Sequence, residues 1–413
     1  MNSKTLRTGF SLVLLAMTLA GCASYSGLNT EGVSLDAKNL KAGQSLSGVT
    51  LTPAAWPKSD WWKNLGDPQL DGLIREALRD SPDMQIAEAR AHQASAAAYA
   101  ADAERMPTLD ASAGISRARL ARDQDPSGQG GTYSTLRNLG ASFNYNFDLW
   151  GGQRAAWEAA LGQARAAEVD QQAAQLTLSA DVARAYSDLG QAHIVYDLAS
   201  EDLKRTRQML DLSKRRLSAG IDSEYQFQQT ESLEATSQAS LIDAEKRLQT
   251  AKIALAVLLG KGPDRGNEIA RPQILQASAV ALPSVLPAEL LGRRPDLVAA
   301  RWRVEAASKN IDAGKTRFYP NLNLSAAAGV ESLLGDAMFG SASRFFNVGP
   351  TISLPIFDGG RLRADLDSRD ADYDLAVAQY NKSLVRALGD VSDSINQLRD
   401  IGRQIGAQQH ATD

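Results

Sequence analysis

The sequence predicts a mainly α-helical protein with a transmembrane β part, and three observations carry that expectation. Several runs of roughly ten residues alternate apolar and polar side chains, the period of a strand with two unlike faces. The stretch from Gln153 to Ala219 contains no proline and repeats Leu, Val and Tyr at spacings near three, four and seven. These features occur twice in the same order, so an internal duplication is expected.

Composition agrees. The 413 residues have room for two or three ordinary domains. Aromatics make up only 6%, and the middle of the chain is heavy in Ala, Gln, Leu, Glu and Arg, a profile that suits long helices. A formal charge of −4 gives no reason to expect nucleic acid as a partner.

The N-terminus begins with Lys4 and Arg7 and continues through an apolar stretch, Phe10–Ala20, too short to span a bilayer as a mature helix. It ends in Leu19-Ala20-Gly21-Cys22, which resembles the lipobox of bacterial lipoproteins. That resemblance implies a signal peptide over 1–21, cleavage before Cys22, and acyl chains on the thiol and amine. Cys22 is the only cysteine, so it has no disulfide partner within the chain and acylation gives the thiol a use. Ala23, in place of Asp, by the same resemblance favours the outer membrane over retention in the inner one. An ordinary signal peptide with a chance cysteine is the plain alternative.

The duplication is visible when residues 81–116 are set against 294–331. Pro82-Asp83 matches Pro295-Asp296, and Pro107 matches Pro320 at the same spacing. Each segment starts a helix with Pro-Asp, runs on in Ala-rich composition and stops at the second proline. Alternation follows: Leu109, Ala111, Ala113, Ile115 in the first half, and Leu322, Leu324, Ala326, Ala328, Val330 in the second. A polar loop (121–135, and 332–344) leads to a second alternating run in each half. The first runs from Leu139 to Leu149 with Asn144, Asn146 and Asp148 on its polar side. The second carries Val348, Ile352, Leu354 and Ile356 on one side. "FDLWGG" and "FDGG" close these runs in corresponding places. Four such strands have the length of membrane-spanning strands, but they are too few to close a barrel alone. Alternation by itself is shared by the strands of a small soluble sandwich.

The helix after Gly152 would reach roughly 100 Å at 1.5 Å per residue. Gly220 breaks it, Asp222 or Ser223 can cap the next helix, and a return leg runs to about Leu259. Residues 215–235 thus read as the tip of a long antiparallel hairpin, although a soluble coiled-coil dimer fits that segment alone equally well.

No catalytic constellation is present, so no enzyme, cofactor or metal is expected. His92, His193 and His410 lie far apart in helical composition. The acidic run Asp365, Asp367, Asp370, Asp372, Asp374 lacks the order of an EF-hand loop, is interrupted by Arg369, and reads as a solvated helix face.

Taken together, "WWKNLGDPQLDGLIREALRDSPDMQIAEAR" (61–90), "FDLWGGQR" (147–154), "RRLSAGIDS" (215–223), residues 290–329 and "PIFDGGRLRADL" (355–366) resemble the TolC-like outer-membrane factors, in particular the OprM/NodT-type lipoproteins that work with RND efflux pumps. The resemblance implies a homotrimer whose four strands per protomer close a 12-stranded barrel in outer-membrane lipid, above a tunnel of long helical hairpins. It implies passive conduction of drugs or small solutes from an inner-membrane RND pump, with a periplasmic adaptor (membrane fusion) protein docked at the helix tips. Arg216, Leu217 and Ser218, ahead of Gly220, resemble the element through which such tips meet adaptors, Arg216 bonding adaptor backbone while Leu217 packs. A plain helix end gives the same pattern. Pro107, Gly151, Gly152, Pro320, Gly359 and Gly360 are the expected bends between barrel and tunnel.

The expected organisation is a signal peptide (1–21), a lipid-anchored extension (22–60), first-repeat helices (61–107) and the first transmembrane hairpin (108–150). A long helical hairpin (151–262, tip near 216–223), a linker (263–294), the second-repeat helix (295–319), the second transmembrane hairpin (320–358) and an incomplete second long helix (359–413) follow. Aligning 182–189 with 385–391 sets Asp413 opposite about residue 211. The second hairpin's tip and return leg, which in this family hold the entrance gate, are therefore expected to be missing, with transport impaired or lost. The alternatives kept are a non-conducting, lipid-anchored periplasmic coiled-coil scaffold and a type I secretion conduit.

Overall fold

The computed structural model describes residues 24–36, 51–52, 60–119, 121, 131–273, 282–283, 293–333 and 338–412. The signal peptide and Cys22, most of the first inter-strand loop and much of the linker lie outside the described residues. Ten principal elements follow one another: α1 Pro68–Asp80, α2 Pro82–Ala103, β1 Thr108–Arg119, β2 Tyr133–Phe147, α3 Gly152–Ser218, α4 Glu224–Leu258, α5 Pro295–Thr316, β3 Asn321–Ser332, β4 Arg344–Ser353 and α6 Arg361–Thr412. The order helix, strand, strand, long helix thus recurs, as the duplication requires. Among the described residues no helix is long and apolar enough to cross a membrane.

The described residues fall into two compact units. One lies within Met1–Asn39, His92–Ala166 and Leu297–Ala387, the other within Leu40–Ala91, Ala167–Asp296 and Leu388–Asp413.

The first unit holds a four-stranded sheet of order β1-β2-β3-β4, antiparallel throughout. The second strand of one hairpin pairs with the first strand of the other, so the two halves share one sheet. Two strand boundaries differ from expectation. β2 starts at Tyr133, inside the expected loop, and ends at Phe147 rather than Leu149. Asp148 is not a pore-lining residue of the strand: its carboxylate accepts from the backbone N–H groups of Gln153 (3.1 Å) and Arg154 (2.8 Å) and starts α3. β4 spans Arg344–Ser353, earlier than expected, and leaves out Leu354 and Ile356. Pro355, which has no N–H to donate, follows at once. Asp358 then accepts from the N–H groups of Gly360 (3.0 Å) and Leu362 (2.8 Å) and caps α6, the counterpart of Asp148.

The acidic run on α6 is not uniformly solvated. Asp370 is buried, and burial raises its carboxyl above the usual carboxylate range, with Asp367 and Asp374 adding to the rise and Lys315 opposing it. Asp374 accepts from the N–H groups of Glu31 (3.0 Å) and Gly32 (2.6 Å), fastening the N-terminal segment.

The second unit is built on α1, the distal part of α3 and α4. Asp67 caps α1, accepting from Gln69 (2.8 Å) and Leu70 (3.0 Å) with Pro68 at the first helical position. The apolar face of α1 (Leu70, Leu73, Ile74, Ala77) packs on Leu178, Val182 and Leu189 of α3 and on Leu255 of α4. Tyr186 lies in this core with its hydroxyl donating to Asp67 (2.8 Å). Burial and that bond push its phenol up to about 12. Arg265 clamps Glu76 with two bonds (3.1 and 2.9 Å). Gly260, at φ +69°, lets the end of α4 press on α1, because a Cβ there would lie 2.5 Å from the Asp80 carbonyl oxygen.

Candidate functional site

Strand period and register together sort the sheet into two faces. Leu109 lies opposite Phe143, Phe143 opposite Ala326, and Ala326 opposite Val348, so one row of apolar side chains crosses all four strands. The row beside it runs Asp110, Ser142, Ala327, Asn347. One face is therefore oily and the other wet, with Asn144 and Asn146 on the wet side as expected. Within a single chain the oily face has no cover: Ile115 is 75% exposed, Val348 70% and Ile352 72%. β1 and β4 are edges, each with one neighbour.

At the helix end of the sheet sit the expected bends. Pro107 lies between α2 and β1, and Pro320 between α5 and β3. Gly151 (φ +74°), Gly359 (φ +67°) and Gly360 (φ +89°) take the left-handed conformation that favours glycine. Gly152 does not. It opens α3, and what excludes a side chain there is α5, since a Cβ would meet Thr316 Oγ1 at 2.1 Å. The bend in the first half is thus made by Gly151 alone.

An aromatic cluster marks the same level. Trp150 stacks on Tyr319 (4.8 Å between ring centres) and donates from Nε1 to the Pro320 carbonyl (2.8 Å). Tyr25 meets Phe318 edge-on and shares a hydroxyl hydrogen bond with Tyr319 (3.0 Å). Arg363 donates to the carbonyls of Ser24 and Ser26, while Asn381 binds both Val33 and Leu35. The N-terminal segment from Ser24 is thereby held against the strand–helix junction. Sequence reasoning missed this strap, whose partners lie more than 300 residues away.

The hairpin tip, in the other unit, closes with a Schellman motif. Ile221 N–H donates to the Arg216 carbonyl (2.8 Å) and Gly220 N–H, at φ +70°, to the Leu217 carbonyl (2.9 Å). A capping box starts α4: Gln226 N–H donates to Ser223 Oγ (3.3 Å) and Ser223 N–H to Gln226 Oε1 (2.8 Å). Arg216 is exposed, and its Nε donates to Asp222 (2.8 Å). Leu217 is half-buried, and the Ser218 hydroxyl donates back to the Arg215 carbonyl (2.8 Å). Beside them Ile221 (65%) and Tyr225 (76%) are exposed. Those two apolar side chains were not singled out from sequence, although a large apolar residue on each side of a capping box is a readable signal.

A family model described as outer membrane efflux protein matches residues 73–261 and 286–413. Fusaric acid resistance protein FusA of Burkholderia cepacia is 36% identical over 381 residues, covering 90% of this chain and 71% of that protein. Pyoverdine export outer membrane protein OpmQ of Pseudomonas aeruginosa is 32% identical over 408 residues, covering 97% and 83%. The crystal structure of outer membrane protein VceC from Vibrio cholerae has a TM-score of 0.79 at 34% identity, over 86% of this chain and 85% of that one. The fold is that of the TolC-like outer-membrane channels, whose members are channels rather than enzymes. On this match the chain belongs to the outer membrane efflux protein family, trimeric outer-membrane channels that work with efflux pumps and adaptors.

Proposed function

We propose that three copies of the chain close one twelve-stranded barrel, β4 of each copy pairing with β1 of the next, and that drugs or other small solutes pass down its wet face. The reading rests on one observation: four strands with a continuous oily face and two unpaired edges. In a bilayer each unpaired backbone group on those edges would cost several kcal/mol, and ring closure removes that cost. The wet face supplies polar groups without a binding constellation, which suits passive conduction. The driving energy comes from an inner-membrane RND pump, coupled through a periplasmic adaptor at the tip formed by Arg216, Leu217, Ser218 and Gly220. The named cargoes of FusA and OpmQ are small organic molecules, and this channel is assigned the same class. Outer-membrane detergent extracts should contain heat-resistant trimers that give single-channel currents. A monomer released by enzymatic removal of its lipid would instead favour the periplasmic scaffold.

Cys22 is the proposed lipid attachment site. In support, the strap that begins at Ser24 is held at the aromatic level of Trp150 and Tyr319, a composition found where barrels meet the membrane interface. Acyl chains on Cys22 would enter the periplasmic leaflet at that level. Cys22→Ser is expected to abolish metabolic labelling with radioactive palmitate, while trimers still form. Labelling at the wild-type level would remove the assignment.

A further inference from the structure

The oily face is interrupted by charge at one end only. Arg117 and Arg119 on β1, Arg137 on β2 and Arg344 on β4 all share its parity: Arg117 lies opposite Thr135, Arg119 opposite Tyr133, Ile115 opposite Arg137 and Val330 opposite Arg344. All four stand at the loop end of the sheet, away from the helices. From there to the helix end the same face carries no charged residue, through Leu139 to Phe147 on β2 and Val330 to Leu322 on β3. That uncharged run is about 27 Å along the strand, or about 20 Å of height at the usual barrel tilt, close to the apolar band of an outer-membrane barrel. The opposite face has the reverse sign: its charged strand residues are Asp110 and Glu331.

The arginines are not spent on carboxylates, since none of the four forms a salt bridge among the described residues. Arg117 and Arg119 stand over the exposed Tyr133 ring at 5.2 and 5.8 Å, and Arg119 Nε donates to the Gly131 carbonyl (2.9 Å). The geometry points to a belt of guanidinium groups, repeated in each copy around the barrel, that docks the phosphate-bearing headgroups of the outer-leaflet lipid. A guanidinium fork matches phosphate oxygens two at a time, and an interface lowers the hydration that competes for both. Anionic headgroups are drawn to clustered Arg at this depth, and Tyr133 supplies the amphipathic ring expected beside them. The inference rests on the reading of these strands as membrane-spanning with the helices on the periplasmic side.

The test uses the purified full-length trimer in detergent, with bound lipid counted by native mass spectrometry. Three probes are compared: bis-phosphorylated lipid A, the same lipid after phosphatase treatment, and inorganic phosphate at equal phosphate concentration. Wild-type protein should retain the phosphorylated lipid and gain resistance to thermal dissociation from it alone. The set Arg117→Gln, Arg119→Gln, Arg137→Gln and Arg344→Gln should lower retention about five-fold or more, the four-Lys set should keep most of it, and Arg247→Gln on α4 should change nothing. If the four-Gln protein does not assemble, the pair Arg117→Gln and Arg119→Gln should lose about half. Equal retention by the Gln variants, equal binding of the dephosphorylated lipid, or an equal effect of inorganic phosphate each overturns the belt. Failure of the membrane reading would show differently, as wild-type protein that leaves the outer membrane without detergent.

Discussion

Ala326→Arg is expected to abolish trimers in the outer membrane, whereas Ala327→Arg leaves them at wild-type levels. The two alanines are neighbours on β3, so the substitutions are chemically identical and differ only in face. Ala326 pairs with Phe143 and Val348, midway along the oily band. An arginine pointing into hydrocarbon near the bilayer midplane costs about 2–4 kcal/mol. Three symmetric copies bring that to roughly 6–12 kcal/mol, comparable with the whole stability of a folded domain. Ala327 pairs with Ser142 and Asn347 on the wet face, where water hydrates the guanidinium. There the expected effect is on ion selectivity, shifted toward anions. Heat-modifiable bands in outer-membrane fractions and reversal potentials across planar bilayers measure the two outcomes. Equal behaviour of the two variants would remove the two-faced reading on which the channel depends.

The faces were legible in the sequence because a strand's period of two survives any choice of partner. Leu109, Phe143, Ala326 and Val348 carry the same parity signal whether or not their register is known. The ends of the strands were not legible, because alternation runs on: Leu149 continues the pattern of β2, and Leu354 and Ile356 that of β4. What stops each strand is the aspartate that follows, Asp148 or Asp358, whose carboxylate takes up the first N–H groups of the next helix. The repeat showed both aspartates, but capping and pore lining ask for the same residue type. The Gly-Gly pair misled in a similar way. Gly151 answers to backbone conformation and Gly152 to the approach of α5, a distinction that requires the neighbour to be in place.

The helical hairpin was legible for the opposite reason, since its signals are local. A proline-free run, a glycine stop and a Ser-x-x-Gln start lie within a few residues of the contacts they make. Asp374 has no such signal. Its partners, Glu31 and Gly32, are more than 340 positions away, and an acidic residue in an acidic run carries no mark of the strap it holds. The acylation of Cys22 and the adaptor role of the tip came from resemblance, and in neither case does geometry replace it.

Leu217→Asp is the second large effect expected: efflux is abolished while the amount of trimer in the outer membrane stays unchanged. Leu217 sits in the last turn of α3, half-buried, one residue beyond Arg216, which is tied to Asp222 across the turn. The new carboxylate would lie at the negative end of the helix dipole, a penalty of about 0.3–1 kcal/mol at an exposed site. That is small beside the packing that holds the hairpin, which is centred on Val182, Tyr186, Leu189 and Leu255, more than 25 residues away in sequence. Folding and assembly should therefore survive. Docking should not, because an apolar side chain at the centre of an interface commonly accounts for about 2 kcal/mol or more, and a desolvated, unpaired carboxylate adds to the loss. Leu217→Ala is expected to fall between wild type and Leu217→Asp. Ser218→Ala is expected to be near neutral, since that hydroxyl is occupied with the Arg215 carbonyl. Drug resistance in a strain lacking its own outer-membrane channel, read against immunoblots of the trimer and site-specific cross-linking to the adaptor, separates docking from assembly. Unchanged resistance with Leu217→Asp would show that this turn only ends a helix, and the search for the contact would move to the exposed Ile221 and Tyr225 beside it.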